Sequence, residues 1–368
     1  MEICGVGDFL RVVKGLYPQS GRAFFRGQPS SEFAVSSSLF RFISSSKPKS
    51  AACNYGYMLT NKIFSEFKNN LPIYQEASHL KNYSLNDLDV IMTAQHYGMP
   101  TRLIDWTRNP LVALYFSTES EPQSEMVSVY MLRDKNEENI SVLSGNCLLN
   151  SITSEQRKFL HLLQSAERKL LTGENANNPI DNLTDTSNHD SSFETCFPPV
   201  QLHPELGCVD SFSLDLSKAR MKTKNEINPG EVLRILQKSS VNFLAHPSTV
   251  TLHGSRQYII EPLPINNRIK NQQGVFLFSK SIEKPAYEAS EFFGENTISS
   301  HDPEEIRKVP LDSEIVRIDI KREHAPNIHR ELNRYGLSRD FIYPELSSFA
   351  SEMPKRIALN LSPEEPLI

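Results

Sequence analysis

The stretch AQHYGMPTRLIDWTRNPLVALYF, residues 94–116, decides how the chain is read. Its first residues close a helix that begins near Asn86 and runs to Tyr97. Asn86 suits the N-cap because its side-chain oxygen can accept from the free N–H groups of the first turn, and Asp87 complements the positive helix end. Gly98 stops the helix just before Pro100. Thr101 to Trp106 is then a short extended segment. Asn109 followed by Pro110 opens a second helix over Leu111 to Ser117, since asparagine caps and proline loses no hydrogen bond in the first turn. Gln95, His96, Thr101, Arg102, Asp105, Thr107 and Asn109 crowd between the two helices. Polar side chains buried without partners cost roughly 1–3 kcal/mol each, so this density forms either a structural network or the lining of a ligand site.

Working outward, a short helix spans about Gly7 to Leu16 and a strand covers Ala23 to Arg26, being brief, aromatic and bounded by glycines. Arg26 thus stands at a strand end. Tyr55, Met58, Leu59, Ile63, Phe64 and Phe67 repeat at the helical period, which predicts a core-facing helix over Tyr55 to Lys68. Met126 to Leu132 is a strand. Residues 135–225 are less regular, and Gly173 to Pro199 is rich in Asn, Asp, Ser, Thr and Pro, the composition of a solvated or disordered insertion. Beyond it come a helix at Glu231 to Lys238, strands at Gln257 to Glu261, Gly274 to Ser279 and Glu314 to Ile320, a helix at Ala325 to Tyr335, and a terminal helical stretch from about Tyr343. The expected fold is α+β: a mixed or antiparallel sheet flanked by helices, with residues 1–134 and 226–368 forming one domain around the insertion at 135–225.

The chain has 368 residues, enough for a substantial core without disulfides. Its 39 basic and 44 acidic residues leave a net charge of −5, which excludes a polybasic, histone-like class. Five cysteines, odd in number and widely spaced, include no C-x-x-C pair and point to a reduced, cytoplasmic protein. The first residues lack the marks of a signal peptide, and no apolar run reaches the length of a membrane span. Scattered histidines without H-E-x-x-H spacing argue against a metalloenzyme, and no metal is expected. The absence of both G-x-x-x-x-G-K-[ST] and G-x-G-x-x-G argues against P-loop and Rossmann nucleotide binding.

FRGQ at Phe25 to Gln28, SLFR at Ser38 to Arg41 and the stretch at 94–116 together closely resemble the FRG domain. Weaker similarity continues in Arg268 to Phe276 and in Phe341 to Leu346. The resemblance implies a bacterial or phage origin and a toxin or anti-phage defence setting, with an antitoxin as a possible partner. The order of elements also looks like an ADP-ribosyltransferase core, which implies NAD as the substrate and RNA, DNA or protein as the acceptor.

That likeness implies roles. Arg26 would hold the NAD phosphates, its guanidinium fork suiting them, while Thr107 would orient the nicotinamide ribose. Asp105 would fix Arg102 or Arg26. The cleft would be formed by Arg26, Gln28, Arg102, Thr107 and Asn109, with His96, Thr101, Asp105, Arg268 and Gln272 as further binding residues. Transfer of ADP-ribose needs a carboxylate near the reacting carbon. Gln272 and Gln273, opening a later strand, cannot be bases, so Glu261 and Glu345 are the candidates.

Each role has a structural alternative: a salt-bridge anchor for Arg26, a turn or cap residue for Thr107, a structural carboxylate for Asp105, and surface positions for the glutamates. His96 could pair with Asp105 as a base. Trp106, Tyr97, Tyr115 and Phe116 could stack on a base or simply pack in the core. Arg317, Lys321, Arg322, Arg330 and Arg334 could meet acceptor phosphates or form a solvated face. A non-catalytic sensor of a nucleotide or phage protein is the rival reading.

Overall fold

The computed structural model describes residues 1–17, 21–48, 55–74, 84–135, 137–150, 194–197, 200–203, 207–209, 212–215, 220–223, 257–262, 267–292, 294–310 and 314–361. The helix expected at Glu231 to Lys238, and residues 173–193 of the expected loop, lie outside the described residues. The architecture is α+β. Its strands are β1 (Gly21–Gln28), β2 (Leu103–Thr107), β3 (Met126–Lys135), β4 (Ile140–Ser144), five short strands between 194 and 223 (β5 to β9), then β10 (Gln257–Glu261), β11 (Gly274–Phe278), β12 (Thr297–Ile298) and β13 (Ile315–Lys321). Eight of them form one mixed sheet in the order β12-β13-β3-β1-β2-β11-β10-β4. Its edge pairs, β12 with β13 and β4 with β10, are parallel; the rest are antiparallel. Strand β4 falls inside the segment expected to be irregular, and β5 to β9 pair among themselves in two small sheets.

The sheet is two halves joined at one point. β1 pairs with β3 along its whole length, from Gly21 opposite Lys135 to Gln28 opposite Ser128. Against β2 it pairs only through Phe25 and Thr107. Beyond that pair the strands diverge, and the residues after Phe25 on β1 and before Thr107 on β2 border the opening.

Helices α1 (Val6–Leu16), α2 (Ser38–Ser46), α3 (Tyr55–Asn70), α4 (Asp87–His96), α5 (Pro110–Thr118), α6 (Asn267–Gln272), α7 (Pro303–Lys308), α8 (Ala325–Arg334), α9 (Arg339–Ile342) and α10 (Leu346–Leu361) flank it. Alternation along the strands decides what each face meets. Ala23 and Phe25, Val127, Val129 and Met131, and Val316, Ile318 and Ile320 face α1, α5 and α8 in one apolar core. The other half packs Leu103, Ile260 and Phe278 against Phe64 of α3 and Leu88, Ile91 and Met92 of α4.

Local chemistry sets the elements around the site. Asn86 accepts from the N–H groups of Leu88 and Asp89 at 2.9 Å each, and the Asp89 carboxylate returns the bond to the Asn86 N–H at 3.0 Å, a reciprocal cap for α4. Gly98 ends that helix at φ +86°, a conformation glycine adopts freely. Asn109 caps α5 by accepting from Leu111 N–H at 3.0 Å, with Pro110 in the first turn. Helix α2 buries Leu39 and Ile43, one turn apart, and is capped by Ser37. It docks through Ser38, whose hydroxyl meets the N–H of Thr101 at 3.0 Å and its carbonyl at 3.2 Å.

Gly27 corrects the expectation for the strand. β1 continues two residues past Arg26, and Gly27 lies inside it rather than in a turn. A Cβ there would stand 1.9 Å from the Ala113 carbonyl oxygen and 2.6 Å from the Ser117 nitrogen. The glycine therefore lets the α5 backbone lie directly on the strand.

Candidate functional site

A cleft of about 360 Å³ opens between α4, α6 and the neighbouring parts of β1, β2 and β11, within the size range of small-molecule sites. Helix α4 presents Asp89, Met92, Thr93 and His96, one helical face at spacings of three and four. The strands add Arg26, Asp105, Thr107 and Phe276, and α6 adds Arg268, Ile269 and Gln272.

Arg26 is the dominant charge. It is partly buried and donates from Nη1 to the backbone carbonyl of Asp105 at 2.6 Å. Among the described residues its buried Nε has no hydrogen-bond partner, and no carboxylate pairs with it. Burial lowers its pKa below the ordinary arginine value, the Asp105 charge opposes that shift, and Arg41 adds to it. The cation is thus left short of compensating negative charge, which a bound anion would supply. Arg268, on α6, lies with its guanidinium carbon 4.7 Å from the centre of the Tyr343 ring.

Asp105 is exposed within this cleft, and its carboxylate accepts from Gln95 Nε2 at 2.8 Å. Gln95 Oε1 in turn accepts from the Thr101 hydroxyl. The expectation that the Asp105 carboxylate fixes Arg102 or Arg26 is corrected on both counts: Arg26 takes the backbone oxygen, and Arg102 is elsewhere. Arg102 is buried, donates Nε to Ser279 O at 2.8 Å, and stacks 4.1 Å over the Phe278 ring.

The remaining expected residues divide. Thr107 lines the cleft, but its hydroxyl donates to Gln272 O at 2.6 Å and accepts from Asn109 N–H at 2.9 Å, which holds the turn. His96 lies on the exposed rim, edge-on to Tyr97. Gln28, Thr101, Arg102 and Asn109 are not among the lining residues: Gln28 is buried near Ala34 O, Thr101 orients Gln95, and Asn109 caps α5. Gln272 ends α6, and Gln273 turns at φ +47° before β11 begins at Gly274, so neither opens the strand.

Neither proposed catalytic glutamate lines the cleft. Glu261 is exposed and paired with Arg108, and Glu345 is exposed next to α10. The late basic residues do not gather into a phosphate-binding face either. Arg317 is buried against Asp319 at 2.9 Å, and Lys321 pairs with Glu2 at 2.6 Å. Trp106 and Tyr115 are core residues, while Phe116 is partly buried at the cleft. In the sequence Gln95 stands out only as part of a polar crowd; its position one turn before the Gly98 stop, facing the next strand, is the available clue.

The family model of the FRG domain matches residues 21–126. The chain contains an FRG domain. No curated protein and no solved structure matches the chain. The matched segment runs from β1 to the start of β3, so the FRG domain supplies Arg26, Gln95, Asp105, Thr107 and the close contact at Gly27. Arg268, Gln272 and Phe276, on the facing side, come from outside it. Among the described residues, no helix is long and apolar enough to cross a membrane.

Proposed function

We propose that the FRG-domain cleft binds NAD and transfers its ADP-ribose to a macromolecular acceptor, RNA, DNA or protein, as a toxin or phage-defence effector would, with an antitoxin as its natural restraint. The observation that carries this reading is Arg26, an under-compensated guanidinium bordering the junction of the two sheet halves and lining an open cleft. A sheet divided into two four-stranded halves, with an arginine on the first strand beside the division, supports an ADP-ribosyltransferase-like arrangement. The donor set fits the ligand. Among the described residues, Arg26 and Arg268 offer two cations without ion-pair partners, which suits a pyrophosphate.

The carboxylate required for transfer is then Asp105. Gln95 holds one of its oxygens and leaves the other available to the cleft. Placed there, the carboxylate would favour the positive charge that develops at the ribose carbon as its bond to nicotinamide breaks and nicotinamide leaves, and would take the proton of the acceptor group as that group bonds to the same carbon. Arg26 would bind phosphate, and Thr107 would keep β2, α5 and α6 in register around the site.

The second reading, a nucleotide sensor without chemistry, draws on Glu261 and Glu345 lying outside the cleft. Labelled NAD and cell extract separate the two. The native protein should label a macromolecule, Arg26→Ala should lose both NAD binding and labelling, and Asp105→Asn should bind NAD while labelling falls by at least about 100-fold. NAD binding by the native chain without consumption supports the sensor. A native chain that neither binds nor consumes NAD overturns the proposal.

A further inference from the structure

The N-terminal residues Glu2 and Cys4 meet Glu323 and His324, far from the cleft in sequence and unused by the chemistry above. Glu2 bridges to Ser300, the Met1 carbonyl accepts from His301 N–H at 3.0 Å, and the Glu2 carbonyl lies 2.9 Å from His301 Nδ1. Cys4 N–H donates to the Asp8 carboxylate at 3.1 Å, and the intervening Ile3 is buried. In such an extended segment residues two apart share a face, so Glu2 and Cys4 project together. Opposite them, Glu323 and His324 are consecutive in the turn between β13 and α8.

The donor atoms converge on the imidazole. His324 Nε2 stands 3.4 Å from Glu2 Oε2, 3.7 Å from Glu323 Oε1 and 3.5 Å from Cys4 Sγ. The two carboxylate oxygens and Nε2 all lie within 4.8 Å of one another. Ligands at zinc bond lengths of about 2.0–2.3 Å stand about 3.3–3.8 Å apart at the corners of a tetrahedron. The separations from His324 Nε2 match that spacing; the Cys4 thiol lies outside the group of three and of these side chains meets the imidazole alone, so it would turn about χ1 to join the two carboxylates at a shared ion. Lys321 pairs with the other oxygen of Glu2, at 2.6 Å, so it leaves Oε2 free. The same ammonium stands 3.9 Å from Glu323 Oε1, so two carboxylates share one cation, and the remaining negative charge, with a thiolate, suits a divalent cation. A mixed sulfur, nitrogen and oxygen set selects zinc-type metals over magnesium or calcium.

We infer that Glu2, Cys4, Glu323 and His324 form a binding site for a zinc-class divalent ion that clips the N-terminal segment to the β13–α8 corner. On binding, the Cys4 thiol releases its proton to solvent as the sulfur–metal bond forms. The site is structural and separate from the cleft.

Zinc competition against a chromophoric chelator, on the full chain, tests it. The native protein should take up one equivalent with Kd below about 1 μM. Cobalt loading should give a thiolate-to-cobalt absorption band. Cys4→Ser should abolish that band, and His324→Ala and Glu323→Gln should each weaken zinc binding at least about 10-fold, the least lost when even an outer partner of a metal site goes. Cys147→Ser, which removes the other exposed cysteine among the described residues, should change nothing. Circular dichroism of the metal-free variants separates lost binding from lost fold. The inference is overturned if the native chain binds no stoichiometric zinc, if the band survives Cys4→Ser, or if it disappears in Cys147→Ser.

Discussion

Replacing Gly27 by alanine tests the most specific structural claim about the FRG motif. The added Cβ would lie 1.9 Å from the Ala113 carbonyl oxygen, whereas real Cβ contacts essentially never fall under 3.0 Å, so strand and helix must part by about 1.1 Å. Both obstructing atoms, Ala113 O and Ser117 N, belong to the backbone and cannot rotate away. Val112, Ala113, Leu114 and Tyr115 of α5 are all buried, so the shift would loosen a whole helix face. A gap of 0.5–1 Å already forfeits roughly a quarter to a half of a dispersion contact. Overpacking typically costs about 1–3 kcal/mol, and a backbone clash belongs at the upper end or beyond. Urea unfolding should therefore show Gly27→Ala destabilised by at least about 3 kcal/mol, or the variant should fail to accumulate. Ala113→Gly should not rescue it, because the carbonyl remains. Gly7→Ala, with nothing within 4 Å of the new methyl, should be neutral or stabilising by up to about 1 kcal/mol. A Gly27→Ala loss below about 1 kcal/mol would refute the close approach as the reason for the glycine.

Two further outcomes follow from the cleft walls. Thr107→Val strands the Gln272 carbonyl and the Asn109 N–H, so thermal unfolding should show a loss of about 1–3 kcal/mol, most of it recovered in Thr107→Ser; equal losses in both would disprove the hydroxyl's role. Asp89 is buried, and desolvation raises its carboxyl pKa against the opposing Asn86 N–H bond. The folded chain then holds that proton more tightly than the unfolded chain, so its contribution to stability is complete below the unfolded value of about 3.9 and declines as pH rises through the folded one. Asp89→Asn removes this decline, and the native-minus-variant difference in urea midpoint should fall with rising pH across the acidic range; a difference that rises instead contradicts the direction.

What could be read in advance was local. Asn86, Gly98 and Asn109 with Pro110 mark helix ends through bonds to residues within two or three positions, and these ends stand where they were expected. The helical apolar spacing over Tyr55 to Phe67 is equally self-contained. Gly27 could not be understood that way, because its reason lies at Ala113 and Ser117 on a later helix. Nor could the partners of Arg26 and Arg102. The likeness to a transferase core suggested that Asp105 would fix Arg102 or Arg26, yet the acceptors are backbone carbonyls, of Ser279 for Arg102 and of Asp105 itself for Arg26, and a backbone carbonyl has no sequence signature. Glu261 looked available because it ends a strand; the exposed Arg108 that pairs with it belongs to a loop 153 residues earlier.

The arrangement around Asp105 also orders binding before chemistry. Arg26 is held by a carbonyl rather than by a carboxylate, so its charge is positioned without being neutralised, and a partly buried cation in that state gains more from an incoming anion than a paired one would. The Asp105 carboxylate is turned toward Gln95, an amide that orients it without adding charge. Had Asp105 paired directly with Arg26, each would have quenched the other, and the cleft would offer neither an anion site nor a base. The Thr101 hydroxyl, itself fixed to β2 through its backbone and to α2 through Ser38, sets the Gln95 amide with its oxygen inward and its nitrogen toward Asp105. Three sequence motifs, FRGQ, SLFR and the stretch at 94–116, thus converge to keep a guanidinium and a carboxylate close together and unpaired.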